Sequence, residues 1–442
     1  MALKPKRILL WTGIIIMVAV LSFYGYVKYQ QQESYQTEIH KNASALVRID
    51  VYAMYQSMLP EYLRRKKRQR RHMFEGIIVP ANIFLFTVKD KESSTLFTSF
   101  QLDDADAFGA SLKRQEQFKA VKALANGAIL SESIDKRWTI AYNNDKVVIA
   151  FSANKENVQD VLLELLQGKN TIDVAHSAFK DIAKQQGHIT YLSTQDKGSL
   201  QFHNGNIELV ASLSGTDFQT DNNITHLQPN NDDALQMWLY ADVQPWLASK
   251  EFTIDTIRVS GDSLLACQFK GIELTLGKSV TQIDSVVTYD YNDDFEKVAQ
   301  VSIKETKVPG LSVQVHADTN KLLSYLQRKN IVNADSGTFN KHVFPLYQLH
   351  TSQGDGFLQW STIKGQVPIK TKQTTNEFFG LHINFQLLLQ QEELALFKKY
   401  FAPFETLKAN AKKVDKRSVS VEAMLQFKNK DKQALWQLLE MM

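Results

Sequence analysis

Along most of this chain apolar residues recur every second position or at alternating third and fourth positions, but from Ile8 to Val27 they do neither. That stretch is a charge-free apolar run of twenty residues whose only hydroxyls outside the aromatics, Thr12 and Ser22, can bond back to a helix. At about 1.5 Å rise per residue it covers roughly 30 Å, the thickness of a bilayer's hydrocarbon core. The pattern predicts a transmembrane helix over 8–27. Lys4, Lys6 and Arg7 precede the run, and Lys28 is followed by Glu33 and Glu38. The excess of cations on the leading side places residues 1–7 in the cytoplasm and 28–442 outside it. The run ends in bulky Leu21-Ser22-Phe23-Tyr24, without the small residues of a signal-peptide cleavage site, so the segment reads as an uncleaved anchor.

The next residues, 28–45, are polar and contain Gln30-Gln31-Gln32, which suits a spacer between bilayer and folded chain. Val47, Ile49 and Val51 then alternate as in a strand. Tyr55, Met58, Leu59 and Tyr62 follow at helical spacing, with Pro60 as an interruption.

Four times the spacing switches from two to about 3.6, the mark of a strand feeding an amphipathic helix. Leu96, Phe100 and Leu102 lead through Asp103-Asp104 to Phe108 and Leu112. Val147 to Phe151 lead to Val158, Val161, Leu162, Leu165 and Leu166. Leu311, Val313 and Val315 lead to Leu322, Leu323 and Leu326, and Val419, Val421, Leu425 and Phe427 lead to Leu435, Leu438 and Leu439. The second and third also match in sequence: Leu162 to Asn170 aligns without a gap to Leu322 to Asn330, and Phe179 keeps register with Phe339. This predicts a duplication into two domains, 46–228 and 235–442, joined by an Asn- and Asp-rich linker at 229–234.

Other segments read as antiparallel sheet. Trp138 to Tyr142 and Lys146 to Phe151 flank Asn143-Asn144-Asp145, and Asn204-Gly205 is a favoured tight turn. Residues 252–303 read as a meander punctuated at Gly261-Asp262, Gly271, Gly277-Lys278 and Asn292-Asp293. Helices against antiparallel strands define the fold class as α+β.

With 44% hydrophobic and 22% charged residues, the part after the anchor can bury a core. One cysteine excludes an intrachain disulfide; Cys267, in the strand-like Leu264 to Phe269, reads as a buried thiol. The formal net charge is +4, from 51 basic and 47 acidic residues. Lys4, Lys6 and Arg7 supply three cations, and the run Arg64, Arg65, Lys66, Lys67, Arg68, Arg70 and Arg71 supplies seven. Without these ten, 41 basic residues face 47 acidic ones, so the positive charge is a local patch. The run is the one candidate contact site, toward anionic lipid headgroups or another polyanion, against the simpler reading of a solvated loop. It lacks the interleaved aromatic residues that stack on bases, which argues against nucleic acid.

No catalytic, cofactor or metal site is assigned. Asp290 to Asp294 opens like a calcium loop, but Phe295 and Val301 stand where its glycine and bidentate Glu belong. Ser177-Ala178-Phe179-Lys180 and Ser361-Thr362-Ile363-Lys364 fit S-x-x-K without the companion motifs of that chemistry. The ten histidines follow no metal-ligand spacing.

With a short basic tail, a single anchor and a cysteine-poor α+β exterior, the chain resembles single-anchor envelope proteins of Gram-negative bacteria. No motif singles out one family. The expected function is a non-catalytic binding or scaffold protein held in the inner membrane, its bulk periplasmic, with an envelope protein as partner. Two alternatives stand beside it: a lipid carrier with an apolar cavity, and an envelope-polymer enzyme with a non-contiguous site.

Overall fold

Strands built by alternation, and helices, among them those begun at Asp50, Asp104 and Asp318, make up two units that divide between Phe202 and His203. The computed structural model describes residues 25–64, 75–118, 121–124, 127–214, 224–228, 230–254, 256–291, 297–365, 372–415 and 417–441. The expected anchor lies outside the described residues except at 25–27, as does the basic run beyond Arg64. Among the described residues no helix is long and apolar enough to cross a membrane.

In the first unit helix α1 (25–34) leads into strands β1 (Glu38–His40) and β2 (Ala43–Asp50). Helix α2 (Val51–Arg64) and strands β3 (Asn82–Val88) and β4 (Thr95–Gln101) follow. Helix α3 (Ala105–Lys113) precedes β5 (Lys122–Ala123), β6 (Ile129–Glu132), β7 (Trp138–Tyr142) and β8 (Lys146–Ser152). Helix α4 (Gln159–Leu166), β9 (Thr171–Asp173), β10 (Ile189–Ser193) and β11 (Lys197–His203) complete it. The sheet is antiparallel, in the order β11-β10-β2-β3-β4-β8-β7-β6-β5. Alternation sends Leu46, Phe84, Phe86 and Phe97 to one face, against Leu162 and Leu165 of α4. The other face carries Ile140, Tyr142 and Val147 against Phe108 and Leu112 of α3. Each of these side chains contributes about 1.5–3 kcal/mol when fully buried.

Three expectations are corrected here. Residues 28–45 are no spacer: Ile39 is fully buried, the Tyr35 ring lies 5.5 Å from that of Phe84, and β1 pairs with β9. Their polar composition hid single apolar residues that pack into the core. Helix α2, started by Asp50 accepting from the Ala53 amide, runs through Pro60 to Arg64. Proline removes one bond in the ladder without ending this helix. The first domain also stops earlier than 228, because the strand at 206–214 pairs with the chain's last strand.

The second unit opens with that strand, β12 (Asn206–Ser214), then β13 (Ile224–Leu227) and β14 (Leu235–Leu239). The expected linker at 229–234 lies inside this unit, with Ala234 buried. Helix α5 (Gln244–Leu247), strands β15 (Glu251–Ile254) and β16 (Ile257–Ser260) and helix α6 (Gly261–Leu265) follow. Two long strands come next, β17 (Gly271–Tyr291) and β18 (Lys297–His316), then helix α7 (Thr319–Arg328). The expected meander is therefore a short hairpin, β15–β16, then α6, then part of one long hairpin in which Gly277-Lys278 forms a bulge rather than a turn. Cys267 sits in the turn after α6, not in a strand, and is buried. The unit ends with β19 (His350–Gly354), β20 (Phe357–Ser361), β21 (Lys372–Thr375), β22 (Glu377–Asn384) and α8 (Phe385–Leu388), then α9 (Lys398–Phe401), β23 (Phe404–Lys413), β24 (Ser418–Phe427) and α10 (Ala434–Met441). Its sheet runs β12-β24-β23-β22-β14-β17-β18-β20-β19, again antiparallel. Leu322, Tyr325 and Leu326 of α7 pack on Val315, Leu358 and Trp360.

Seven strands of each unit share one spatial order and one chain succession. In the first it is β11-β10-β2-β3-β4-β8-β7; in the second, β23-β22-β14-β17-β18-β20-β19. This topology pairs α7 with α3, since each follows the third strand of its series. Asp104 caps α3 by accepting from the Ala107 amide, and Asp318 caps α7 by accepting from the Lys321 amide. The ungapped sequence match instead relates α7 to α4, and both of those helices are followed by an asparagine with positive φ, Asn170 and Asn330.

Candidate functional site

Strand β17 places Ile272, Leu274 and Leu276 on the face toward α7, so Gly271, Glu273 and Thr275 point the other way. That second face is polar yet buried. Trp238, Glu273, Gln314 and Gln359 lie side by side across β14, β17, β18 and β20. Glu273 is 3% exposed, Gln314 6% and Gln359 2%. An ionised carboxylate at such depth needs donors on both oxygens.

Glu273 has them. Its Oε1 accepts from the Tyr240 hydroxyl and lies 3.1 Å from His316 Nε2, and its Oε2 accepts from the Leu227 amide at 3.1 Å. Burial works against the charge, but the bonds from His316, Tyr240 and Leu227 outweigh it and hold the carboxyl below its usual range. Burial, reinforced by the Glu273 charge, pushes the Tyr240 phenol well above its ordinary value. Beside this group His226 stacks on Trp238 at 3.9 Å, with Nδ1 2.8 Å from the Leu227 carbonyl. Burial keeps His226 below the ordinary imidazole value, although the Leu227 carbonyl and Glu273 favour its charge.

Two glycines make room for these rings. A Cβ on Gly380 would fall 2.0 Å from Trp238 Cζ2, and one on Gly271 would fall 2.3 Å from Tyr240 Cδ1. The backbone of the neighbouring strand is thus the floor on which each aromatic rests.

Chemically, a general base must reach a substrate proton. Here both carboxylate oxygens already accept from the protein, so Glu273 acts as a tie. It fastens β13, through Leu227, to the central strands β14, β17 and β18. Gln236 makes a parallel tie, its Nε2 donating to the Leu227 carbonyl at 3.3 Å.

The described residues form two cavities of note. One, of about 270 Å³, lies over β2, β3 and β10 and is lined by Val47, Leu85, Phe86, Leu96 and Tyr191. The other, of about 170 Å³, is lined by Asp232, Lys278, Leu387 and Gln391. Among the described residues no three His, Cys, Asp or Glu side chains converge as metal ligands.

Of the residues singled out in sequence, Arg64 ends α2; Arg65, Lys66, Lys67, Arg68, Arg70 and Arg71 lie outside the described residues, as do Asn292 to Asp294 of the calcium-like segment. Phe179 of the first S-x-x-K is a core residue, and the Ser177 hydroxyl donates to the Val174 carbonyl. The Glu273 group escaped the sequence reading. Its only trace was a polar residue alternating with leucines in β17, which any solvent-facing strand also shows.

No family model matches this chain, and no curated protein matches it. Two solved structures of TP0453, in crystal forms IV and III, overlap it. They cover 72% and 74% of this chain and 87% and 91% of theirs, at 8% identity and TM-scores of 0.22 and 0.23.

Proposed function

We propose that this is a single-pass envelope protein whose α+β units stand outside the cytoplasm as a non-catalytic binding or scaffold module. One observation carries the reading: the charge-free run Ile8 to Val27, with Lys4, Lys6 and Arg7 on its leading side. The basic run from Arg64 to Arg71 adds a contact for anionic headgroups or another polyanion. An envelope protein is the expected partner.

We also propose that the two units arose by duplication. The common order of seven strands supports this, and so does a second alignment, set by topology, in which Asp104, Phe108, Leu112 and Arg114 of the first unit meet Asp318, Leu322, Leu326 and Arg328 of the second. Both aspartates are helix caps, and Phe108, Leu112, Leu322 and Leu326 are all buried.

The test is extraction and topology. The protein is expected to stay with membranes through alkaline carbonate, and protease added outside the cytoplasmic membrane is expected to digest the part beyond Lys28. Release by carbonate, or full protection from protease, overturns the tethered reading. Crosslinking in cells should then capture one reproducible protein partner. A second reading, lipid carriage, has the apolar cavity over β2, β3 and β10 in its favour. Lipid co-purifying at a fixed ratio by mass spectrometry would favour the carrier over the scaffold.

A further inference from the structure

No residue of α2 is buried, although nine of its fourteen residues are hydrophobic. Tyr55, Leu59 and Leu63, at i, i+4 and i+8, share one face and are 45%, 38% and 74% exposed; Tyr62 beside them is 41% exposed, its ring 6.0 Å from that of Tyr55. The helix ends at Arg64, where the sequence begins seven cations in eight residues. Cations at that end also match the negative pole of the helix. Core-facing helices of this protein do the opposite: α4 and α7 bury their leucines.

An exposed apolar stripe beside a dense positive charge is the pattern of a helix lying in a membrane interface. Anionic lipid satisfies both features at once, acyl chains taking the stripe and headgroups the cations. Nucleic acid would leave Leu59 and Leu63 in water. An acidic protein groove is the remaining occupant, and the test below separates it from lipid.

We propose that α2 lies in the surface of an anionic bilayer, with Tyr55, Leu59 and Leu63 turned into the boundary between headgroups and acyl chains. The inference rests on the tethered reading, because the expected anchor ends at Val27, 24 positions before α2 begins at Val51. The tether would make this docking intramolecular, favoured by effective concentration.

The full chain, reconstituted into vesicles of phosphatidylcholine and phosphatidylglycerol in equal parts, provides the test. Cys267 is the sole native cysteine and is buried, so L63C can be labelled selectively with an environment-sensitive fluorophore. The label's emission is expected to shift to the blue and to be quenched by lipids brominated on their acyl chains. Both signals should be lost in phosphatidylcholine alone, and in L59S/L63C, whose exposed side chains leave the fold intact. A blue shift without bromolipid quenching means a protein groove and overturns the proposal. So does equal quenching in neutral and anionic vesicles, or a label that stays in water. Carbonate extraction of the same vesicles reports the tether separately, so failure of the anchor and failure of α2 docking are told apart.

Discussion

In the first unit a buried charge sits on β2; in the second it sits on β17, the next strand of the shared order. The two are opposite in sign. Arg48, 4% exposed, donates through Nη1 to the Tyr35 hydroxyl at 2.8 Å and the Ile182 carbonyl at 3.1 Å. Its Nη2 donates to the carbonyls of Gln185 at 2.8 Å and Gly187 at 3.4 Å. Glu273 instead accepts from a phenol, an imidazole and an amide. Each gathers a segment that lies outside its main sheet onto that sheet: the loop before β10 in one case, and β13, which pairs with β21, in the other. A buried ion held by several polar groups at once is a geometric staple, since all of them must converge on it. The difference lies in chemistry. A guanidinium stays charged across the accessible pH range, whereas a carboxylate and the imidazoles near it do not. The second unit's staple is therefore the acid-sensitive one.

The largest effect is expected from Arg48→Met, which takes the guanidinium donors away from four buried or half-buried acceptors. The first unit should lose about 3–5 kcal/mol, given the cost of unmade buried hydrogen bonds. Hydrogen exchange should accelerate in β2 and β10 and leave β17 and β18 protected; equal loss in both units would break the comparison. Next is Glu273→Gln, which keeps the shape and removes the charge, at about 1.5–3 kcal/mol near neutral pH for bonds to a charged group. Because the folded carboxyl titrates below its unfolded value, its stabilisation is present above that value, about 4.3, and fades as pH falls through the folded one. The gap between wild type and Glu273→Gln in urea unfolding should hence shrink below about pH 4. A gap independent of pH would mean that shape, not charge, holds β13.

Gly380→Ala drives a methyl into the Trp238 ring and should destabilise the second unit by about 1–3 kcal/mol, the usual range for overpacking. The His226 environment should change with it, visible as a shift of its imidazole NMR signals. The smallest effect is a pH slope. Burial holds His226, His350 and His382, all in the second unit, below the ordinary imidazole value. The folded state therefore binds fewer protons than the unfolded one just below about pH 6.5, and stability falls as pH drops through that window. Thermal unfolding of His226→Phe between pH 7 and pH 5 should show a shallower slope; an unchanged slope would remove His226 from the account.

Much of the fold was legible in the residues. All four switches from strand to helix spacing occur where alternation ends, at β4–α3, β8–α4, β18–α7 and β24–α10. The hairpin of β7 and β8 flanks its Asn-Asn-Asp turn. The spacer failed because Ser34, Tyr35 and Ile39 gain their packing from strands and helices far along the chain, such as Asn82, whose amide donates to the Ser34 hydroxyl at 2.8 Å. The domain boundary failed for the same reason: β12 takes its partner, β24, from the other end of its unit.

Periodicity, caps and turns are local, so the residues alone set that strands feed helices, that Asp104 and Asp318 begin two of them, and that one charge-free run is long enough to span a bilayer. Which strands became neighbours was decided only in three dimensions, because pairing joins residues hundreds of positions apart. That pairing turned the polar face of β17 from a solvent face into a buried one and set Arg48 and Glu273 among their donors and acceptors. It also left the apolar stripe of α2 uncovered. No spacing rule carries that information, since the same alternation describes a wet face and a dry one.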